Sequence, residues 1–368
     1  MLYIHVPFCK SRCIYCSFFS SLKHDFKEKY VDCLCKEIAE RKGYLPNNQL
    51  DTIYFGGGTP SLLSENNFER IFNAIKENFV IKNSAEITLE CNPDDLTQNY
   101  ISVMKKIFFN RVSVGIQSFN DSELRFLNRR HNAQTAKKAV QNLQRAGFSN
   151  ISVDLMFGLP KQTLQSWENT VNEAIKLDVQ HISAYSLSYE KGTKLENLRK
   201  SGEISEISEE NSEKMFDLLT QKLQNAGFEH YEISNYCKHS FHSRHNSGYW
   251  QMADYLGVGA AAHSFNGVSR RWNVADIEKY CSNFSYEKEI LTPKDKYNEL
   301  VFLSLRTKNG LDLQQLKEKS GVESYDFCLS CAEKYLASKK LFITDNHLKI
   351  NENAVIISDL IMSDLMKI

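Results

Sequence analysis

The 368-residue sequence has no excess of charge of either sign, because 45 basic and 45 acidic side chains cancel. That balance argues against a polyanionic partner or a membrane surface held by charge. Apolar runs of about 18 residues are missing, so no bilayer-crossing helix is expected. The opening stretch MLYIHVPF has no basic n-region, no long apolar run and no small-residue cleavage site, which makes a cytoplasmic protein the expectation. Sequence repeats of roughly 20–50 residues and low-complexity tracts are also missing, which sets solenoid folds aside. The most informative absence is a fourth cysteine: FCKSRCIYC, residues 8–16, carries three thiols and stops.

What is present is a recurring β–α pattern. Short β-type runs at 2–6, 52–55, 86–91, 112–116, 151–157 and 181–188 are each followed by helical periodicity, as in Tyr30, Leu34 and Ile38 or Met215, Leu219 and Leu223. Such units imply an α/β protein with a parallel sheet, either doubly wound or curled into a partial (β/α)6, TIM-like barrel. Residues at strand ends favour the barrel. Cys9, residues 56–58, Glu90, Gln117, Asp154 and residues 186–190 all fall at or just past the C-terminal end of a strand, and a barrel gathers those ends on one face. Further on, FEHYEISNY (228–236) reads as one more strand and CKHSFHSRHNSGYW (237–250) as a polar, His-rich loop. Three regions are expected: the barrel over 1–235, a connecting region over 236–290, and a winged-helix-like domain over 291–368. The last has helical runs at 297–305, 313–319 and 324–336 and two short strands at 341–344 and 347–350. Its 11 Lys/Arg and 11 Asp/Glu balance, so no nucleic-acid partner is expected.

Cys9, Cys13 and Cys16 are spaced C-x3-C-x2-C on the loop that leaves the first strand. Three thiolates can hold three irons of a [4Fe-4S] cube and leave the fourth iron open to a small molecule. A structural zinc calls for four protein ligands, and only His5 lies near as a fourth. Ten cysteines in a chain of this expected compartment point to metal ligation, catalysis or burial rather than to disulfides. Cys328 and Cys331 form a lone C-x2-C at helical spacing, which reads as core packing.

In this setting the cysteine spacing resembles the radical S-adenosylmethionine (SAM) superfamily, in which the open iron binds the methionine amine and carboxylate. LYIHVPFCKSRCIYC, YFGGGTPS, TLECNPDDL, VSVGIQSFN, LNRRHN, DLMFGLPKQT and EISNY together resemble the group that contains oxygen-independent coproporphyrinogen III dehydrogenase and the HemW heme chaperones. The resemblance runs from residue 2 to about residue 265 and more loosely beyond. It implies a radical SAM barrel with Cys9, Cys13 and Cys16 as metal ligands, and Tyr3 and Tyr15 flanking them. GGGTP, with Gly57, Gly58 and Thr59, would meet the amino end of the methionine moiety. Glu90, Gln117, Arg129 and Asp154, with Ser188, would be further SAM contacts. On residue chemistry alone the glycine run also fits a tight β–α turn, and each rim residue also fits a helix cap or a surface ion pair.

Two branches of the group differ at readable positions. The dehydrogenase pattern extends to C-x3-C-x2-C-x-C, whereas Phe18 stands at that last position here; the dehydrogenase also carries a long segment ahead of its first strand, whereas the first strand here begins at Leu2. HNSGYW (245–250) matches the H-N-x-x-Y-W motif that marks HemW. The resemblance then implies His245 as an axial heme ligand, with Tyr249 and Trp250 packed against a porphyrin. The expectation is a heme chaperone that binds heme, a [4Fe-4S] cluster and SAM and hands heme to an apoprotein acceptor. Peripheral membrane association, a homodimer and cleavage of SAM are left open. The alternative is the dehydrogenase, which decarboxylates coproporphyrinogen III propionates oxidatively. His239 and His242, beside Cys237, receive no role, and His263 falls in a stretch that resembles the family's late contribution to the cofactor region.

Overall fold

The computed structural model describes residues 1–367. Six strands, β1 (Leu2–Val6), β2 (Gln49–Gly57), β3 (Val80–Cys91), β4 (Arg111–Gln117), β5 (Ile151–Phe157) and β6 (His181–Ser186), lie side by side in chain order and pair in parallel throughout. Each helical crossover returns the chain beside the strand it left, which curls the sheet into a partial barrel. Strand alternation sorts the side chains. On β5, Ile151, Val153 and Leu155 are buried in the main apolar core, while Ser152 and Asp154 face the opposite side. That inner side is polar: Ser152 pairs with His181 Nδ1 at 2.7 Å, and Ser113 donates to Asp154 at 3.2 Å.

The sheet has nine strands and does not close on itself. A hairpin of β7 (Glu229–Glu232) and β8 (Asn235–Cys237) joins antiparallel to β6, and β9 (Leu256–Val258) joins parallel to β1, giving the order β7-β8-β6-β5-β4-β3-β2-β1-β9. FEHYEISNY is thus two strands rather than the one expected. Its turn is fixed by the Glu232 carboxylate, which accepts from the Ser234 N–H at 3.2 Å and from the Asn235 side-chain amide. The stretch after Cys237 is not all loop either: Arg244–Trp250 is a helix, capped by the Ser243 hydroxyl.

The 236–290 region contributes to the barrel as well as connecting it. Leu256, Val258, Ala260, Ile277 and Tyr280 share the barrel's core, and β10 (His263–Phe265), β11 (Ser269–Asn273) and β12 (Tyr286–Ile290) form a small antiparallel sheet beside it. A buried ion pair ties this region to the helix Lys27–Glu40. Glu37 accepts from Arg41 at 3.1 Å, Tyr280 at 2.7 Å, Asn273 at 2.8 Å and the Gly259 N–H at 2.8 Å, while Arg41 donates to Ser264 at 2.9 Å. Every charged atom of Glu37 therefore has a partner, which is what allows the pair to be buried.

The C-terminal residues pack a second core, centred on Tyr297, Val301, Leu316, Cys328 and Ile361. Its first helix, Pro293–Leu305, starts at a capping box between Thr292 and Asp295, with proline at its first position. Helices Leu313–Ser320 and Val322–Ala337 follow β13 (Leu311–Asp312) and precede the hairpin β14 (Leu341–Thr344) and β15 (His347–Ile350), a winged-helix arrangement.

Candidate functional site

The C-terminal ends of the barrel strands open onto a cavity of 510 Å³. Cys9, Cys13 and Cys16 line one part of it, with Tyr15 between them. Gly57, Gly58, Thr59, Glu90, Gln117, Arg129, Asp154 and Ser188 line the rest. These residues are up to about 180 positions apart in sequence and meet because parallel strands point their ends the same way.

Specific contacts bind the cysteine loop to the strand ends. Thr59 Oγ1 donates to Cys9 Sγ at 3.4 Å, and Arg129 Nη1 donates to Cys13 Sγ at 3.2 Å. Arg129 also donates through Nη2 to Asn92 Oδ1 at 2.5 Å and to the Gly115 carbonyl at 2.6 Å, while its Nε is buried without a partner. Asp95 draws three segments together: it accepts from Lys10 at 2.7 Å, from Ser61 at 2.9 Å and from Arg130 at 3.4 Å. Asn92 and Asp95 lie in TLECNPDDL and Arg130 in LNRRHN, where sequence alone does not distinguish them from their neighbours. Only the fold reveals that one carboxylate crosslinks the cysteine loop, the glycine turn and the segment after β4.

The glycine run has a packing cause that its sequence does not disclose. Gly57 has φ = +108°, and a Cβ there would sit 2.5 Å from the His5 ring; at Gly58 a Cβ would sit 2.8 Å from the Pro7 backbone. Both glycines are required by the close passage of β2 over the end of β1. Gln117, at the end of β4, holds φ = +71° next to a register shift against β5, so the backbone is strained where the side chain turns toward the cavity mouth.

Electrostatics separate the two carboxylates from ordinary surface groups. Desolvation pushes the Glu90 carboxyl up to about 7, against the hydrogen bonds it accepts from Tyr54 OH at 2.7 Å and the Gly57 N–H at 3.2 Å. Desolvation also raises Asp154, opposed by hydrogen bonds from Ser183 and Ser113. Both groups are poised to be neutralised by, or to pair with, a cationic ligand.

Two of the expected site residues are not in the lining of that cavity. The Tyr3 hydroxyl pairs with His5 Nδ1 at 3.1 Å, and the side chain lines a second cavity of 580 Å³. His245 is 1 % exposed, and both ring nitrogens are engaged, Nδ1 with Thr52 Oγ1 at 2.7 Å and Nε2 with Tyr249 OH at 2.9 Å. Its backbone N–H donates to Glu86 at 3.1 Å, and its ring stacks on Tyr54 at 5.0 Å. Burial lowers its pKa to about 3, so the imidazole is neutral and sealed beneath the barrel interior rather than free in a loop. Tyr249 and Trp250, by contrast, line the second cavity. Ser17 and Phe18 line both cavities.

Comparison with known proteins agrees with this architecture. The radical SAM superfamily profile matches residues 3–174, and the HemN C-terminal domain profile matches residues 291–357. The chain is similar to the heme chaperone HemW of Bacillus subtilis, with 35% identity over 349 residues, covering 92% of this chain and 91% of that one. It is also similar to HemW of Lactococcus lactis, at 34% identity covering 86% and 84% of the two chains. Among solved structures, the Escherichia coli coproporphyrinogen III oxidase HemN, a radical SAM enzyme, superposes with a TM-score of 0.86 over 100% of this chain and 89% of that one. At 20% identity that likeness bears on the fold alone. With the three-cysteine loop at the mouth of a partial barrel, HNSGYW after it, and relatives aligned along nearly the whole length, the chain belongs to the HemW heme chaperone family of the radical SAM superfamily.

Proposed function

We propose that this chain binds heme and passes it to an acceptor protein, and that it holds a [4Fe-4S] cluster and SAM at the barrel mouth. The observation that carries the reading is the gathering of Cys9, Cys13 and Cys16 with Glu90, Gln117, Arg129 and Asp154 round one cavity, in a chain 35% identical to a HemW protein over 92% of its length.

The residues present suit the cluster. Three thiols face one cavity, and hydrogen-bond donors from Thr59 and Arg129 already reach two of the sulfurs, as thiolate charge requires. Among the described residues no three His, Cys, Asp or Glu side chains close on a point as ligands of a single metal ion do. A cube instead takes one thiolate on each of three irons. Bound there, the cluster would supply one-electron chemistry. The chain's own part is to position and desolvate. Arg129, with a buried unpartnered Nε, suits the methionine carboxylate; Glu90 and Asp154 suit an ammonium or ribose hydroxyls; and the Gly57–Gly58 turn brings main chain to the rim.

Phe18 stands where the dehydrogenase pattern has a further cysteine, and this supports the chaperone over the dehydrogenase. The test is an anaerobic heme titration of reconstituted protein, followed by mixing with apomyoglobin, beside a coproporphyrinogen III decarboxylation assay. Saturable heme uptake and release to the apoprotein without decarboxylation is expected. Decarboxylation without heme uptake would replace the reading with the dehydrogenase.

A further inference from the structure

If heme binds this protein, it needs an apolar slot for the ring, a Lewis base for the iron and a cation for the propionates. The 580 Å³ cavity has all three. Its walls include Phe18, Tyr249, Trp250, Tyr255 and Phe265, flat aromatic surface of the kind that packs on a porphyrin face. Two imidazoles line it. His5 has both nitrogens committed, Nδ1 to Tyr3 OH at 3.1 Å and Nε2 to the Phe19 carbonyl at 2.9 Å. Among the described residues His263 has a hydrogen-bond partner on neither nitrogen; it is exposed, and is braced by stacking on Trp272 at 5.8 Å between ring centres. Desolvation and the Arg270 charge lower its pKa, a shift toward the neutral ring that an iron ligand requires.

Arg270 is the one Lys or Arg among the lining residues. It sits across the strand pair from Phe265, as Trp272 sits across from His263, so the small antiparallel sheet presents base and cation on one face. Glu299 and Glu289 hold the guanidinium at 2.7 and 3.7 Å, and the remaining N–H donors can take a carboxylate. The Trp250 Nε1, buried and without an acceptor, adds a further unused donor at the same wall.

We infer that the aromatic cavity between the barrel and the C-terminal core is the heme site, that His263 rather than His245 is the axial ligand, and that Arg270 faces a propionate. This rests on the heme-binding reading above. In this arrangement His245 is a positioning residue, whose hydrogen bond to Tyr249 OH fixes one wall, and Phe18 and Ser17 place the heme directly beside the cysteine cavity.

The experiment is a heme titration of the anaerobic protein, read by Soret absorption and by the EPR of ferric heme, for wild type, His263→Ala, His245→Ala and Arg270→Gln. The last is expected to bind heme more weakly with an unchanged axial-ligand spectrum, wild-type affinity there overturning the propionate contact. Expected for His263→Ala is heme binding weakened by roughly tenfold or more, a Soret shift, and return of the wild-type spectrum when free imidazole is added. For His245→Ala, the wild-type axial-ligand spectrum of whatever heme is bound should persist. Wild-type heme binding with an unchanged spectrum in His263→Ala overturns the assignment and leaves the chaperone reading standing, as does loss of the axial signature in His245→Ala with imidazole rescue there. No saturable binding by wild type overturns both.

Discussion

Glu90 shows how a single side chain couples the site to pH. Its carboxyl is pushed up to about 7 from a usual 4.5, chiefly by desolvation. Between those values the folded protein holds a proton that the unfolded chain has released, so the ligand-free protein loses stability as pH rises through that window. Glu90→Gln should flatten that slope in urea melts followed from pH 5 to 8; an unchanged slope would remove Glu90 as its source. A cationic ligand favours the ionised form, so SAM affinity should rise with pH and level off above about 7 in wild type, while Glu90→Gln should show no such rise. At the opposite end of the barrel interior, His245 depends on Thr52 for its Nδ1 partner. Thr52→Val keeps the shape and strands a buried imidazole nitrogen, with an expected cost of about 1–3 kcal/mol. Differential scanning calorimetry would check it, and a melting temperature equal to wild type would show that the ring finds another partner.

Among elements, the buried Glu37–Arg41 pair is one of the ties that hold the 256–273 strands to the barrel, beside the β1–β9 pairing. Glu37→Ala leaves Arg41 enclosed, and its four hydrogen-bond partnerships to helix, strand and loop vanish together. Loss of about 3–5 kcal/mol is expected in denaturant titration, and because β10 carries His263, heme affinity should fall with it. A stable variant with intact heme binding would show that the two regions are coupled some other way. The elements also show what could be read in advance. The run at 151–157 is a strand with the bounds its alternation announces, and the 341–344 and 347–350 strands flank turn residues Asp345 and Asn346, both at positive φ. The helix Arg244–Trp250 was hidden because Gly248 and its histidine-rich lead-in lower helical propensity. What holds it is tertiary: the Ser243 cap, Glu86 accepting from the Arg244 and His245 N–H groups, and Met1 packed where a Cβ on Gly248 would lie.

At the scale of the whole molecule, the sequence announced strand ends, and the parallel order of six strands converts those ends into one cavity. That is why residues as distant as Cys9 and Ser188 could be named together from spacing and resemblance. Tyr3 and His245 could not be placed in the same way, because whether a side chain points to the mouth, to a second cavity or into the barrel interior depends on packing that no local pattern encodes. The two cavities, which share Ser17 and Phe18 in their linings, make the protein, on this account, a pair of adjoining sites, one for the cluster and SAM and one for heme. No helix among the described residues is long and apolar enough to cross a membrane. The central claim is that three thiols leave one iron of a cube open to SAM, and EPR of the anaerobically reconstituted, reduced protein tests it most directly. Iron and sulfide at about four each per chain, with a cluster signal that changes on adding SAM and is lost in Cys16→Ala, is the predicted result; protein that takes up no iron or sulfide, or a signal indifferent to SAM, would contradict it.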